Sequence, residues 1–187
     1  MKRILVVLGG GRQKGNTRQL ADAFIQGAVD AGHEIELVSL NQVEVKGCIG
    51  CNACQYGKPC VQKGGFSELV PKVKAADLIV FASLLLFRTI SAELKAFIER
   101  FYCIAEEDEN LPLGRYEKYP VKDAALLMTS ADQQSEQADY NSDSAQIQCL
   151  QNPFRLAFPD AGYSSSEQSS MPRRLRKTMH FHCCISK

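Results

Sequence analysis

The sequence predicts an α/β domain built as a doubly wound parallel sheet with helices on both faces, in three layers. Three observations carry that expectation. Apolar runs at Ile4 to Leu8, in ADLIVFAS and in AALLMTS are continuous rather than alternating, as strands buried on both faces require. Segments of helical periodicity separate them, so neighbouring strands are joined by crossovers and run parallel with right-handed connections. A cluster of glycines also stands directly between the first run and the first helical segment.

Length and composition set the limits. The 187 residues suit one domain with a sizeable core, and the share of apolar residues, 45%, with 23% charged, describes a water-soluble globular chain. A net charge of +1 offers no electrostatic case for nucleic acid or an anionic membrane as partner. The longest apolar run, Leu78 to Phe87, is too short to cross a bilayer as a helix, and Met1 leads into a strand rather than a secretory signal. A cytoplasmic protein is the expectation, and in that reducing setting eight cysteines point to metal ligands or redox groups rather than to a disulfide framework.

The elements follow in order. Ile4 to Leu8 is the first strand, stopped by Gly9, Gly10 and Gly11; Asn16 is then placed to cap a helix running from Thr17 to Ala31, with Leu20, Phe24, Ala28 and Ala31 on one face and Gly32 closing it. Ile35, Leu37 and Leu40 alternate with polar residues in a second strand nearer the sheet edge. A loop rich in glycine and cysteine precedes a short helix carrying Phe66, Leu69, Val70 and Val73, in which Pro71 marks the first turn or a kink. The third strand ends at Ser83. Ser91 to Ile104 reads as a helix with Leu94, Phe97, Ile98, Phe101 and Tyr102 on its apolar face and Lys95, Glu99 and Arg100 on the other. Glu106 to Pro120 is acidic and aperiodic, a surface loop, and the fourth strand starts at Ala124. Past Ser130 the pattern fades: Ile147, Leu150, Phe154 and Phe158 suit a last amphipathic helix interrupted by Pro153, and no fifth strand is legible. Residues 1–163 therefore read as the domain, and 164–187 as an atypical basic tail open to disorder, ending in His180, His182, Cys183 and Cys184.

The chemistry concentrates at strand ends, because ligands of parallel sheets bind at the C-terminal edge where the order reverses. Gly9 to Thr17 is a strand, tight loop and helix start, an arrangement whose free amides and helix dipole favour a phosphate, with Arg12 and Lys14 adding charge. Ser83 to Thr89 and Thr129 to Asp132 complete the crevice, which would suit a mononucleotide such as FMN. The loop lacks the GKS/T ending of a Walker P-loop and the third glycine of the dinucleotide fingerprint. Cys48, Cys51, Cys54 and Cys60 form Cys-x2-Cys-x2-Cys-x5-Cys, a spacing nearer to iron-sulfur ligation than to paired zinc knuckles, with free thiols and zinc as the other readings. Cys103 reads as a small core residue.

GGGRQKGNT, CIGCNACQYGKPC and TISAELKAFIERFYC together resemble the NAD(P)H-dependent FMN reductases of flavodoxin-like fold, most closely their iron-sulfur flavoprotein branch, over about Lys2 to Asp132. The resemblance implies strand order 2-1-3-4, with a fifth strand weak or missing here. It implies FMN phosphate at Gly10, Gly11, Arg12, Gly15, Asn16 and Thr17, and the flavin ring against Ser83, Leu84, Leu85, Leu86, Phe87, Arg88 and Thr89, with Ser130 and Ala131 beside it. It further implies NAD(P)H as co-substrate, a small-molecule or protein electron acceptor, and a four-iron four-sulfur cluster on the four cysteines; since one flavin face would need cover, a homodimer is expected, with the Glu106 to Pro120 loop a candidate for the partner's edge. Relatives read SPVYFGT where this chain has SLLLFRT, so a pre-set turn and a ring-stacking tyrosine are absent and Arg88 brings a cation to the place of a glycine. Arg88 has two readings, an offset to negative charge on reduced flavin or on the nucleotide, and plain damage to the site. Two further functional readings stand beside the oxidoreductase: a non-catalytic remnant of the fold, and a redox or metal sensor using the cysteine loop alone.

Overall fold

The computed structural model describes residues 1–86, 89–104 and 123–129 throughout, and the backbone of 179–182. The sheet runs β2-β1-β3-β4-β5, with β1 at Arg3–Leu8, β2 at Glu34–Ser39, β3 at Leu78–Leu84, β4 at Asp123–Thr129 and β5 at Met179–His182. The first four strands are parallel, with Val6 beside Leu37 on one side and Val80 on the other, and Val80 beside Ala125. This is the expected order.

The apolar runs are continuous because each strand serves two cores. Leu5, Val7, Ile79, Phe81 and Leu126 face α2 (Gly65–Ala75) and α3 (Ala92–Glu99), while Ile4, Val6, Leu8, Val80 and Leu127 face α1 (Asn16–Asp30). Successive strand residues point to opposite sides, so alternate members of one apolar run fill opposite layers. Phe66, Phe81, Phe97 and Phe101 interlock in the α2/α3 layer, with edge-on ring contacts from 5.3 Å between Phe66 and Phe97. Pro71 does not break α2. It sits exposed in the helix, and Ser67, whose carbonyl loses its helical donor, is an exposed residue as well.

Three local readings differ from the structure. The cap of α1 is Gly15, with no side-chain hydrogen bond, and Asn16 is the first helical residue. The segment after Glu99 tightens into a 3-10 helix, Arg100–Cys103. Three residues per turn in place of about 3.6 adds roughly 20° per residue and so turns Tyr102 outward, 53% exposed, while Arg100 at the start of the segment is covered by the cysteine loop folded over it and is 2% exposed, the reverse of the helical-face expectation. The tail also supplies a fifth strand: β5 pairs antiparallel with β4, Met128 opposite His180. The acidic Glu106 to Pro120 loop and the helix expected near Ile147 to Phe158 lie outside the described residues.

Candidate functional site

The β1 tip is where the sheet meets its first helix. Gly9 is buried and its carbonyl accepts the Ser91 hydroxyl, which also accepts the Leu94 N–H and so caps α3 onto the loop. A Cβ at Gly9 would stand 2.6 Å from that of Leu94, so only glycine allows this approach. Gly10 and Gly11 have φ of +84° and +95°, the left-handed region that turns the chain away from the strand. Gly15 N–H closes a turn onto the Arg12 carbonyl at 2.9 Å, and α1 begins with no side chain on its first amides. Asn16, Thr17 and Arg18 therefore present N–H groups that the helix itself cannot satisfy.

A cleft of about 410 Å³ opens over this loop, lined by Gly10, Gly11, Arg12, Lys14, Arg18 and Asn41 among others. Arg18 is paired with Asp22 at 2.8 Å, while Arg12 and Lys14 have no ion-pair partner among the described residues. Asn41 donates to the Gly11 carbonyl at 2.6 Å, so that oxygen already has a partner. Two carboxylates lie near: Asp22, paired with Arg18, lines the cleft, and a Cβ at Gly10 would lie 2.9 Å from Glu93 Oε2. The loop's uncapped amides, its free cations and the absence of any Cβ at Gly10 and Gly11 fit the phosphate end of FMN.

The sequence-predicted residues distribute unevenly around it. Thr17 is buried, and its hydroxyl meets that of Thr129 at 2.7 Å, tying the start of α1 to the end of β4. Ser83 is fully buried; its hydroxyl donates to the Leu84 carbonyl and accepts the Ser91 N–H, so it shapes the loop rather than facing the crevice. Leu85 N–H reaches the Thr129 carbonyl at 2.8 Å and its side chain packs on the core. Leu84 covers Gly11, where a Cβ would come within 3.1 Å of its Cδ1. Leu86 and Thr89 exchange both backbone hydrogen bonds in a tight reversal, Leu86 half exposed and Thr89 exposed. Phe87, Arg88, Ser130 and Ala131 lie outside the described residues.

The second site is the cysteine loop. Cys48, Cys51, Cys54 and Cys60 line one pocket of about 270 Å³, and Cys103 joins them from the 3-10 helix. Cys103 packs against the α2/α3 core, as its sequence surroundings suggest, yet it is partly exposed at the pocket, and its thiol donates to the Arg100 carbonyl at 3.0 Å. Burial pushes the Cys103 thiol up to about 11, with Cys60 adding and Arg100 opposing. Burial also raises Cys54, reinforced by Cys60 and Cys48 against backbone hydrogen bonds. Sulfurs accept N–H donors here, Cys48 from Gly50 and Cys60 from Arg100, both at 3.4 Å. Among the described residues no three His, Cys, Asp or Glu side chains converge on a single ion. Thiolates at the corners of a multi-iron cluster need not converge, and an all-sulfur donor set with N–H donors on it fits such a cluster.

Sequence reasoning missed Arg100. Its guanidinium donates to the Lys46 carbonyl at 3.1 Å, the Gln62 carbonyl at 2.9 Å and Cys60 Sγ, and lies 4.9 Å over the Phe66 ring. The Gln62 amide then reaches the Gly47 carbonyl at 3.2 Å, so the loop is drawn shut at both ends.

Comparison with known proteins agrees with this layout. A family model described as NADPH-dependent FMN reductase matches residues 2–145. Iron-sulfur flavoproteins are similar over shorter stretches: one from Archaeoglobus fulgidus is 31% identical over 94 residues, 50% of this chain and 43% of that protein. Another from Methanocaldococcus jannaschii is 33% identical over 98 residues, 52% of this chain and 51% of that protein. The chain thus spans about half the length of the curated relatives it matches. Among solved structures, the NAD(P)H:quinone oxidoreductase of Methanothermobacter marburgensis superposes with a TM-score of 0.62 at 18% identity, covering 79% of this chain and 74% of that one. An azoreductase of Bacillus anthracis gives 0.58 at 16% identity, covering 84% and 82%. These two share the flavodoxin-like fold with it. From the 2-1-3-4 parallel order, the glycine loop at the tip of β1 and the family match across residues 2–145, the chain belongs to the NADPH-dependent FMN reductase family.

Proposed function

We propose that this protein is an FMN-dependent oxidoreductase or electron-transfer flavoprotein, drawing reducing equivalents from NAD(P)H and delivering them to a small-molecule or protein acceptor. The observation that carries the reading is the β1–α1 loop, in which two left-handed glycines lead past Arg12 and Lys14, both lining a cleft with Arg18, to a helix start with no side-chain cap. In this reading the N–H groups of Asn16, Thr17 and Arg18 hold the phosphate and the two cations offset its charge. The Thr17 to Thr129 contact fixes the helix end against the sheet, and Leu84 to Thr89 borders the ring. Bound FMN supplies hydride acceptance and single-electron release, chemistry outside the reach of these side chains.

The proposal extends to a four-iron four-sulfur cluster on Cys48, Cys51, Cys54 and Cys60, supported by the shared pocket, the N–H donors on sulfur and the names of the curated relatives. It extends also to a cytoplasmic setting, where thiols stay reduced, and to a homodimer. Ile49, Tyr56, Val61 and Tyr102 expose apolar surface beside the cysteine pocket, a place where a second copy would find something to cover. Among the described residues no helix is long and apolar enough to cross a membrane.

The test is a titration of the anaerobically purified full chain with FMN and, in parallel, with riboflavin, followed by flavin fluorescence. Micromolar or tighter FMN binding, weakened several-fold by R12A with riboflavin unaffected, supports the phosphate site. Absence of FMN binding at micromolar concentrations overturns the assignment. NADPH oxidation by the loaded protein then reports turnover, and light scattering reports the oligomeric state.

A further inference from the structure

We propose that Arg100 is the internal counter-cation of the cysteine pocket, and that through it the fold sets the reduction potential of the cluster held there; this rests on the cluster reading above. Arg100 is 2% exposed and carries a guanidinium cation. A cation buried this deeply is costly unless an anion faces it. Among the described residues no carboxylate lies within ion-pair distance of it, and its neighbour Glu99 is engaged elsewhere, with Lys95 at 2.5 Å and the Cys48 N–H at 3.2 Å.

What the guanidinium does face is sulfur and carbonyl oxygen. Nη1 and Nη2 hold Lys46 and Gln62, the two ends of the cysteine loop, and Nη2 also donates to Cys60 Sγ. Nε is buried without a partner. The Phe66 ring offers its face at 4.9 Å, a partial offset for the charge. A thiolate-ligated cluster is the anion that would complete this arrangement. With a cluster bound there, one electron supplied by reduced flavin or by dithionite would add one negative charge beside the guanidinium. A fixed cation beside a ligand sulfur favours the reduced state, and both hydrogen bonds to sulfur and nearby charge are levers on cluster potential. Arg100 is a positioning residue in this sense, acting through Cys60.

The experiment uses the full chain, reconstituted anaerobically with ferrous iron and sulfide, as wild type, R100K and R100M. Iron and sulfide content is measured first, then the potential by dithionite titration followed by electron paramagnetic resonance. The expected result is a potential that moves to more negative values in R100M, with a smaller move in R100K, at equal iron content. A cluster-loaded R100M with the wild-type potential overturns the proposal and leaves Arg100 a structural staple. Should R100M fail to fold or load, wild type grown with nitrogen-15 arginine decides: pulsed resonance of the reduced cluster must show coupling to that label, and its absence overturns the proposal. A wild type that takes up no iron removes the cluster reading and the proposal with it, a failure seen in the metal analysis before any potential is read.

Discussion

Thr17 and Thr129 offer the sharpest test of how the site is held. Both are nearly inaccessible, 4% and 3% exposed, and their hydroxyls meet at 2.7 Å across 112 residues of sequence. Replacing one of them by valine leaves the other hydroxyl buried with its partner gone, at a cost of about 1–3 kcal/mol, whereas replacing both removes the polar pair together and is nearly neutral. For a chain of 187 residues, a single substitution of that size lowers the melting temperature by roughly 2–12 °C. The assay is a double-mutant cycle in urea with T17V, T129V and the double variant, read by circular dichroism. The expected double variant lies within about 1 kcal/mol of wild type, well short of the summed single costs. Additive losses would show that the two hydroxyls do not sustain each other, and the argument that this contact pins α1 to the sheet would fail.

Other consequences are as direct. G11A places a side chain at φ +95° and 3.1 Å from Leu84 Cδ1, so it should lose about 1–2 kcal/mol of stability and weaken FMN in the fluorescence titration; an unchanged Kd counts against the glycine loop as the binding surface. E93Q removes the carboxylate beside Gly10 and should tighten FMN about two- to fivefold at low salt, the factor that ~0.4–1 kcal/mol of screened repulsion yields; no gain, or a loss, refutes it. S91A loses the cap of α3 and the tie to the Gly9 carbonyl together, about 1–2 kcal/mol by chemical denaturation, and a neutral result would show the cap to be unimportant. In metal-free protein, iodoacetamide mapping by mass spectrometry should find Cys48 and Cys51, which are exposed, modified well before Cys103, whose thiol burial keeps protonated; equal rates would contradict the placement of the 3-10 helix.

The parts of the site that were legible in the chain are those in which chemistry is local. Three consecutive glycines after a buried strand announce a turn with left-handed backbone whatever packs around it, and Gly10 and Gly11 adopt that conformation. The cysteine spacing likewise states its own donor set, and the structure gathers all four into one pocket. Ser83 was legible as a strand end but not as a buried staple, because a hydroxyl's partners depend on where the next loop returns, and here Ser91 returns to it. The capping role that the pattern assigns to Asn16 is held by Gly15 without any side chain, a shift of one residue that leaves the amides uncapped.

Periodicity alone determined the parallel sheet, since a strand buried on both faces has to be apolar at every position, and helical segments between such strands leave little choice of connection. Only the tertiary structure decided the role of Arg100. The same residues read as a regular helix put it on the outer face, and it is the cysteine loop folding over that face, with the Lys46 and Gln62 carbonyls and the Phe66 ring against the guanidinium, that buries its charge. The antiparallel β5 belongs to the same category: a short strand at a sheet edge is chosen by the free hydrogen-bonding groups of its neighbour β4, and nothing in the residues of Met179–His182 states which edge that is.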